Sequence, residues 1–391
     1  MIATESFKFK FFYFIRFFGD AIFYPFMTIY FISKGMTEDK LGIILAISPI
    51  AAIIANPMWN YLVKDSKISR IVLQYMTVVE GILIILITRV TGFELTALII
   101  ALIAFFCSPY ISIQDGFTAT FCNKNGLEYT NYRIWASISY VIATLIAGYL
   151  VGYVGYEILF LISGLFFIVT ALITVWIKPI DAPTTAITER PKRDLKGLLR
   201  NADFYKYLIF YTLVMGSVRI GDAFFGVYIT SDLGLSTIGF GWVFSAFVLV
   251  EVIFMRLTAL KGNNYSEKQL MIFASVLFML RFLIYFLNPS LPIIILVTLL
   301  RGVSWGVVLY VHIKIIVRIV KLENVTSAIL IITLVFSIFT GVGNFLTGLF
   351  VKNFGYQWFF LTLTAMIALG LISFLVFTPK LRPSDAVKLS H

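Results

Sequence analysis

Long apolar runs separated by short polar breaks dominate the chain. A bilayer-spanning helix needs about 20 mostly apolar residues. Twelve such segments follow one another, at approximately 10–32, 41–63, 71–89, 95–121, 132–152, 157–178, 204–230, 236–258, 268–287, 291–313, 324–350 and 356–378. The longest polar break, 179–203, holds three prolines and charges of both signs, and it divides the segments into two sets of six. The pattern predicts an all-α membrane protein of twelve transmembrane helices. An N-terminal six-helix bundle would span 1–178, a cytosolic linker 179–203 and a C-terminal six-helix bundle 204–391.

Composition agrees with the pattern. Hydrophobic residues make up 60% of the chain and charged residues 13%, against about 25% charged in soluble domains. The first apolar run is too long for a cleavable signal and contains Arg16 and Asp20. Cys107 and Cys122 cannot build a disulfide framework and are expected to be reduced. His312 and the terminal His391 leave no credible zinc site. Neither a phosphate-cradling glycine loop nor a nucleophile-and-base motif occurs. The sequence therefore predicts no enzyme, no cofactor and no direct use of ATP.

A net charge of +11 raises the question of nucleic acid. The placement of the basic residues answers it. With the N-terminus in the cytosol, 22 of the 31 lysines and arginines fall on the inner side, and only Lys34, Lys40, Arg89 and Lys352 fall outside. That is the positive-inside pattern, and anionic lipid is a sufficient partner for it. The reading predicts a multi-pass cell-membrane protein, both termini cytosolic, working as a monomer in the lipid bilayer without nucleic acid.

Five arginines and five acids lie inside the apolar segments. Ionisable groups there are costly and point by default to function. Asp115 sits near the end of the fourth segment and Arg133 near the start of the fifth. Antiparallel helices would return them to a similar depth. Tyr140, seven residues on, shares the face of Arg133 roughly 10 Å further along. An acid, a guanidinium and an aromatic ring aimed at one place can bind a polar solute; the alternative is an ion pair that clips two helices. Glu251, Arg281 and Arg301 occupy three consecutive segments of the second half. An acid so placed can take up and release a proton, or form a permanent pair. Arg16 with Asp20 (i,i+4) and Arg219 with Asp222 (i,i+3) have same-face spacing. Both pairs are expected to neutralise themselves or line a cavity. Glu80 has no visible partner.

The halves repeat. Gly19-Asp20-Ala21-Ile22-Phe23 returns as Gly221-Asp222-Ala223-Phe224-Phe225. Gly148, Val151, Gly155, Tyr156, Phe160 and Leu161 return 200 residues later as Gly348, Val351, Gly355, Tyr356, Phe360 and Leu361. Two parallel six-helix repeats describe the major facilitator architecture, whose substrate site lies at the midplane.

On these residues the chain resembles major facilitator transporters, and within them the oligosaccharide–proton symporters of the lactose permease type and their phenylpropionate-transporter relatives. Glu128 to Trp135 resembles the segment carrying the sugar-binding arginine of those symporters, which implies that role for Arg133. Asp115 stands where they place the paired acid, and Tyr140 where a tryptophan stacks on the sugar. Arg281 matches the ninth-segment arginine, and Pro25 and Asp181-Ala182-Pro183 agree as well. The second half departs. Arg301 and Ser304 replace the tenth-segment histidine and proton-carrying glutamate, and Val248 replaces the eighth-segment acid, with Glu251 one turn further on. The second-loop signature survives only as Asp65 and Arg70, with Tyr61, Ile68 and Ser69 in its other places. The resemblance implies proton-coupled symport of a sugar or similar small polar solute by alternating access. Because the second half departs from the pattern, coupling must be arranged differently, and the buried charges Glu251, Arg281, Arg301, Asp20 and Asp222 are the expected network. Sodium is the alternative coupling ion. Efflux of amphipathic compounds is the alternative transport reading, and a non-transporting receptor or scaffold the alternative from another class.

Overall fold

The structure is a computed structural model that describes residues 2–63, 65–178 and 195–382. Most of the expected linker, Asp181-Ala182-Pro183, Lys64 and His391 lie outside the described residues. Within the described residues every regular element is helical. The helices are α1 (Ile2–Ser33), α2 (Glu38–Leu62), α3 (Ser66–Ile87), α4 (Phe93–Cys107), α5 (Tyr110–Asn125) and α6 (Thr130–Trp176). They continue with α7 (Leu195–Leu199), α8 (Ala202–Val227), α9 (Thr237–Lys261), α10 (Glu267–Leu287), α11 (Leu291–Ile319) and α12 (Val325–Val376).

Local chemistry sets the ends. The Asp65 side chain accepts from the Ile68 amide at 2.8 Å and caps α3. Ser266 and Gln269 form a reciprocal capping box at the start of α10. Pro109 parts α4 from α5 inside what the sequence presents as one segment, because proline removes a backbone donor and crowds the preceding turn.

Ten continuous stretches are long and apolar enough to cross a membrane among the described residues. Two of them, α6 and α12, run to 47 and 52 residues, about twice the length a span requires. Each is broken by one glycine in a non-helical conformation. Gly155 has φ 78° and ψ 170°, and Gly355 has φ 79° and ψ 171°. Read as two spans apiece, α6 and α12 are consistent with the expected twelve, and the matching angles put the sequence repeat into the backbone itself. A side chain at this φ/ψ costs on the order of 1–3 kcal/mol. Nothing lies within 4 Å of a β-carbon built at either position, so strain is the whole cost. Gly155→Ala and Gly355→Ala are each expected to lower the thermal midpoint by a similar amount. Gly152→Ala, in regular helix with only Ile238 at 4.0 Å, is the neutral comparison. A Gly155→Ala protein as stable as Gly152→Ala would show that the break is not needed.

The backbone groups into two units, Met1–Ile187 with Phe225–Ser245, and Thr188–Phe224 with Ala246–His391. In the first, α6 packs along both α1 and α3. Small residues permit close approach. A β-carbon on Gly81 would meet the Gly164 carbonyl at 2.7 Å, and one on Gly148 would meet the Thr237 carbonyl at 2.8 Å and Gly241 Cα at 3.0 Å. Close approach through small residues is the usual packing of membrane helices. In the second unit α10 packs against α11 and α12, and Gly302 and Gly306 of α11 lie directly on the α9 backbone at Phe247 and Glu251. Outward positions such as Ile54, Leu172, Leu296 and Leu369 are apolar and exposed, which suits lipid and not water.

Candidate functional site

Asp115 of α5 and Arg133 of α6 do come together. The Gly126 turn, in the left-handed region at φ 65°, reverses the chain between them. Arg133 Nε lies 3.8 Å from Asp115 Oδ1, and the side chains are 36% and 31% exposed. The pair is therefore loose and reachable. Tyr13 of α1 donates its hydroxyl to the same Asp115 oxygen at 2.6 Å. The Arg133 guanidinium lies over the Phe17 ring at 4.7 Å and near the Tyr13 ring at 6.0 Å, within cation–π range. At the rim, burial and then the Asp115 carboxylate push the Tyr129 phenol up to about 12, so it stays a hydrogen-bond donor at any physiological pH. Tyr140 lies two turns along α6 with its ring stacked on Phe244, centroids 6.0 Å apart.

A second arrangement lies in α1 and α3. Arg16 donates to Asp20 Oδ1 at 2.5 Å and to Glu80 Oε2 at 2.9 Å. Tyr24 donates to Glu80 Oε1 at 2.7 Å. The expected Arg16–Asp20 pair is present, but Glu80 is not solitary: it is the third member. The sequence hid this because the contact is made by packing α3 on α1. The Arg16 guanidinium lies over both the Tyr110 and the Phe167 ring, each at 4.3 Å.

The third arrangement is in the second unit. Asp222 of α8 accepts from Arg281 of α10 and from Arg301 of α11, each at 2.7 Å, through different carboxylate oxygens. Trp305 Nε1 approaches the same carboxylate at 3.4 Å. Arg301 also reaches Glu251 of α9 at 3.3 Å and lies over the Phe247 ring at 4.2 Å. Arg281 continues through Tyr285 at 3.1 Å to Thr298 at 2.6 Å. The structure thus gathers Asp222, Glu251, Arg281 and Arg301 into one network. It overturns the expected Arg219–Asp222 pair. Asp222 gives its two oxygens to Arg281 and Arg301, while Arg219, although at same-face spacing, is exposed, because the two guanidiniums brought in by α10 and α11 already satisfy the carboxylate.

Sequence reasoning passed over Tyr13, Phe17 and Tyr24. A signal was available: they recur with Arg16 and Asp20 at helical spacing and so share the polar face of an otherwise apolar helix. Phe247 and Trp305 carried no comparable signal.

Paired charges inside apolar helices, partly exposed at Asp115–Arg133 and edged by aromatic rings, suit a path for solutes across a membrane. The chain belongs to the MFS_1 like family, whose family model matches residues 6–362. It is a multi-pass membrane transporter of the major facilitator fold, and its relatives are transporters and not enzymes. It is 22% identical to a maltose permease of Geobacillus stearothermophilus over 307 residues, 78% of this chain and 77% of that one. It is 23% identical to the "Probable 3-phenylpropionic acid transporter" of Escherichia coli (strain K12) over 292 residues, 74% and 76% of the two chains. A crystal structure of a variant of the nucleoside transporter NupG matches 96% of this chain and all of its own, with a TM-score of 0.86 at 15% identity, a likeness of fold.

Proposed function

We propose that this protein is a secondary active transporter that moves a sugar or similar small polar solute together with protons, by alternating access. The observation that carries the reading is the half-exposed Asp115–Arg133 pair with Phe17 and Tyr13 beside it. Arginine offers a planar fork of donors that fits vicinal hydroxyls or a carboxylate, and the flanking rings offer apolar faces to a sugar or an aromatic group. Asp115, Arg133 and Tyr140 are the solute-binding residues of this reading. Glu251, Arg281, Arg301 and Asp222 form a network of two acids and two arginines that can exchange partners as solute binds. The relatives named for maltose and for 3-phenylpropionic acid define the two arms of the test. Purified protein is screened by thermal shift against sugars and glycosides, aromatic acids, and nucleosides. The stabilising solute is then added to proteoliposomes holding a pH dye. Sugar-induced stabilisation and sugar-driven proton movement are expected. A sodium-dependent flux at fixed pH would reject protons, and stabilisation by aromatic acids alone would reject the sugar.

The same proposal holds two bundles of six spans, 1–178 and 204–391, joined by a cytosolic linker at 179–203, in the cell membrane with both termini cytosolic. Lys34 and Lys321 should then lie on opposite sides. Cys107 and Cys122 are buried, so background labelling is low. In intact cells Lys34→Cys should react with an impermeant thiol reagent and Lys321→Cys should not. Reaction of Lys321→Cys from outside would reverse the topology.

A further inference from the structure

Among the described residues the buried charges do not all balance. Asp222 and Glu251 face Arg281 and Arg301, two of each sign. Asp115 faces Arg133, one of each. Around Arg16 the count is two acids to one guanidinium, and this cluster is the most enclosed: the side chains of Arg16, Asp20 and Glu80 are 2%, 8% and 0% exposed. An unpaired carboxylate without water is far more costly than a neutral carboxylic acid. Two carboxyls on one cation at this burial therefore hold a proton between them.

The hydrogen bonds say where. Both oxygens of Glu80 accept, one from Arg16 and one from Tyr24, which is the pattern of an ionised carboxylate. Asp20 accepts through Oδ1 alone, which leaves Oδ2 to carry hydrogen. Four more titratable or charged groups face the cluster from the elements packed around it. They are Tyr24 on α1, Cys107 on α4, Tyr110 on α5 and Arg133 on α6. None adds a second cation in hydrogen-bond contact. The Tyr110 hydroxyl is buried and has no hydrogen-bond partner, so a phenol whose ring lies against Arg16 is left with hydrogen-bonding capacity. Arg133, the residue proposed to hold solute, lies over the Phe17 ring, on the face of α1 that carries Arg16 and Asp20.

We propose that Asp20 and Glu80 share a single proton around Arg16, resident on Asp20 in this structure, and that it is the proton carried in the transport cycle. On release the Asp20 O–H bond breaks and the proton passes to water, leaving two carboxylates on one guanidinium. Half-exposed Tyr24, hydrogen-bonded to Glu80, is the side of the cluster nearest the surface. Solute and proton then communicate through Arg133: a solute that draws its guanidinium changes the field at Asp20. The carrier role rests on the proton coupling proposed above; the resident proton does not.

Infrared spectroscopy of the purified protein in an ester-free detergent at neutral pH tests the site. A carboxylic-acid C=O band that shifts in heavy water is expected in the wild type. Asp20→Asn should abolish it. Glu80→Gln should abolish it too, because Asp20 must then ionise to serve Arg16. Glu251→Gln should retain it. A wild-type spectrum without the band overturns the proposal and needs no variant to fold; a band lost only in Glu251→Gln overturns it as well. In proteoliposomes Asp20→Asn should lose solute-driven proton flux while keeping solute exchange. Flux retained in Asp20→Asn overturns the carrier role. A wild type with the band but no proton flux rejects proton coupling, and the carrier role with it, while the resident proton stands.

Discussion

Asp222→Leu is expected to cost about 3–5 kcal/mol of stability, the scale for removing one partner from a buried ion pair. Asp222 is bonded through separate oxygens to Arg281 and Arg301, each at 2.7 Å, and the Arg281 side chain is fully buried. Taking the carboxylate away leaves two guanidiniums facing each other with one acid, Glu251, still in contact with Arg301. Like charges are then held together in low dielectric, which adds repulsion to the lost bonds. The double variant Asp222→Leu/Arg281→Leu removes one charge of each sign and keeps Arg301 with Glu251. It should recover most of the loss, because an apolar pair replacing a buried ion pair is often neutral or better. An unfolding titration of the purified proteins, with expression level beside it, makes the comparison. If the single variant is as stable as wild type, Asp222 does not hold α8, α10 and α11 together. If the double is no better than the single, the charge argument fails.

The spans, their order and the repeat were legible in the sequence because each depends on local pattern. A run of 20 apolar residues announces itself wherever it lies. Gly155 and Gly355, at an offset of 200, were visible as a repeat, although their φ near +78° was not. The candidate site was legible where partners are close in sequence. Arg16 and Asp20 are one turn apart, and the polar elbow between Asp115 and Arg133 predicts their return to one depth. Partners brought together by helix packing were beyond reach. Glu80 meets Arg16 across 64 residues, and Asp222 meets Arg301 across 79. Spacing alone favoured Arg219 for Asp222, but local spacing sets only who could meet, and the choice fell to the packing that brings Arg281 of α10 and Arg301 of α11 to Asp222 of α8. Tyr140 shows the same limit. Its place on the helix was predictable, whereas its neighbour Phe244 comes from a segment about a hundred residues away.

Arg133→Lys is expected to weaken solute binding by about 2–3 kcal/mol, the scale for truncating one partner of a hydrogen-bonded charged site. At about 1.4 kcal/mol per tenfold that is roughly 30- to 150-fold in Kd. Lysine keeps the charge but presents a compact ammonium in place of a planar fork, and it loses the flat face that lies over Phe17. The free protein should hardly notice. The Asp115–Arg133 contact is 3.8 Å long and about a third exposed, and ion pairs of that kind contribute about 0–1 kcal/mol. The two effects therefore separate: a helix clip would show in stability, a solute site in affinity. Asp115→Asn should also reduce affinity, since Tyr13 can still donate to the amide oxygen but Arg133 loses its counter-charge. Tyr140→Phe should change little, because stacking needs the ring and not the hydroxyl. Calorimetry with the solute found by thermal shift, on variants matched for expression and thermal midpoint, gives the answer. Wild-type affinity in Arg133→Lys and Asp115→Asn would remove the solute from this pair and send the search to the Asp222–Arg301–Glu251 network, where Phe247 and Trp305 supply the rings.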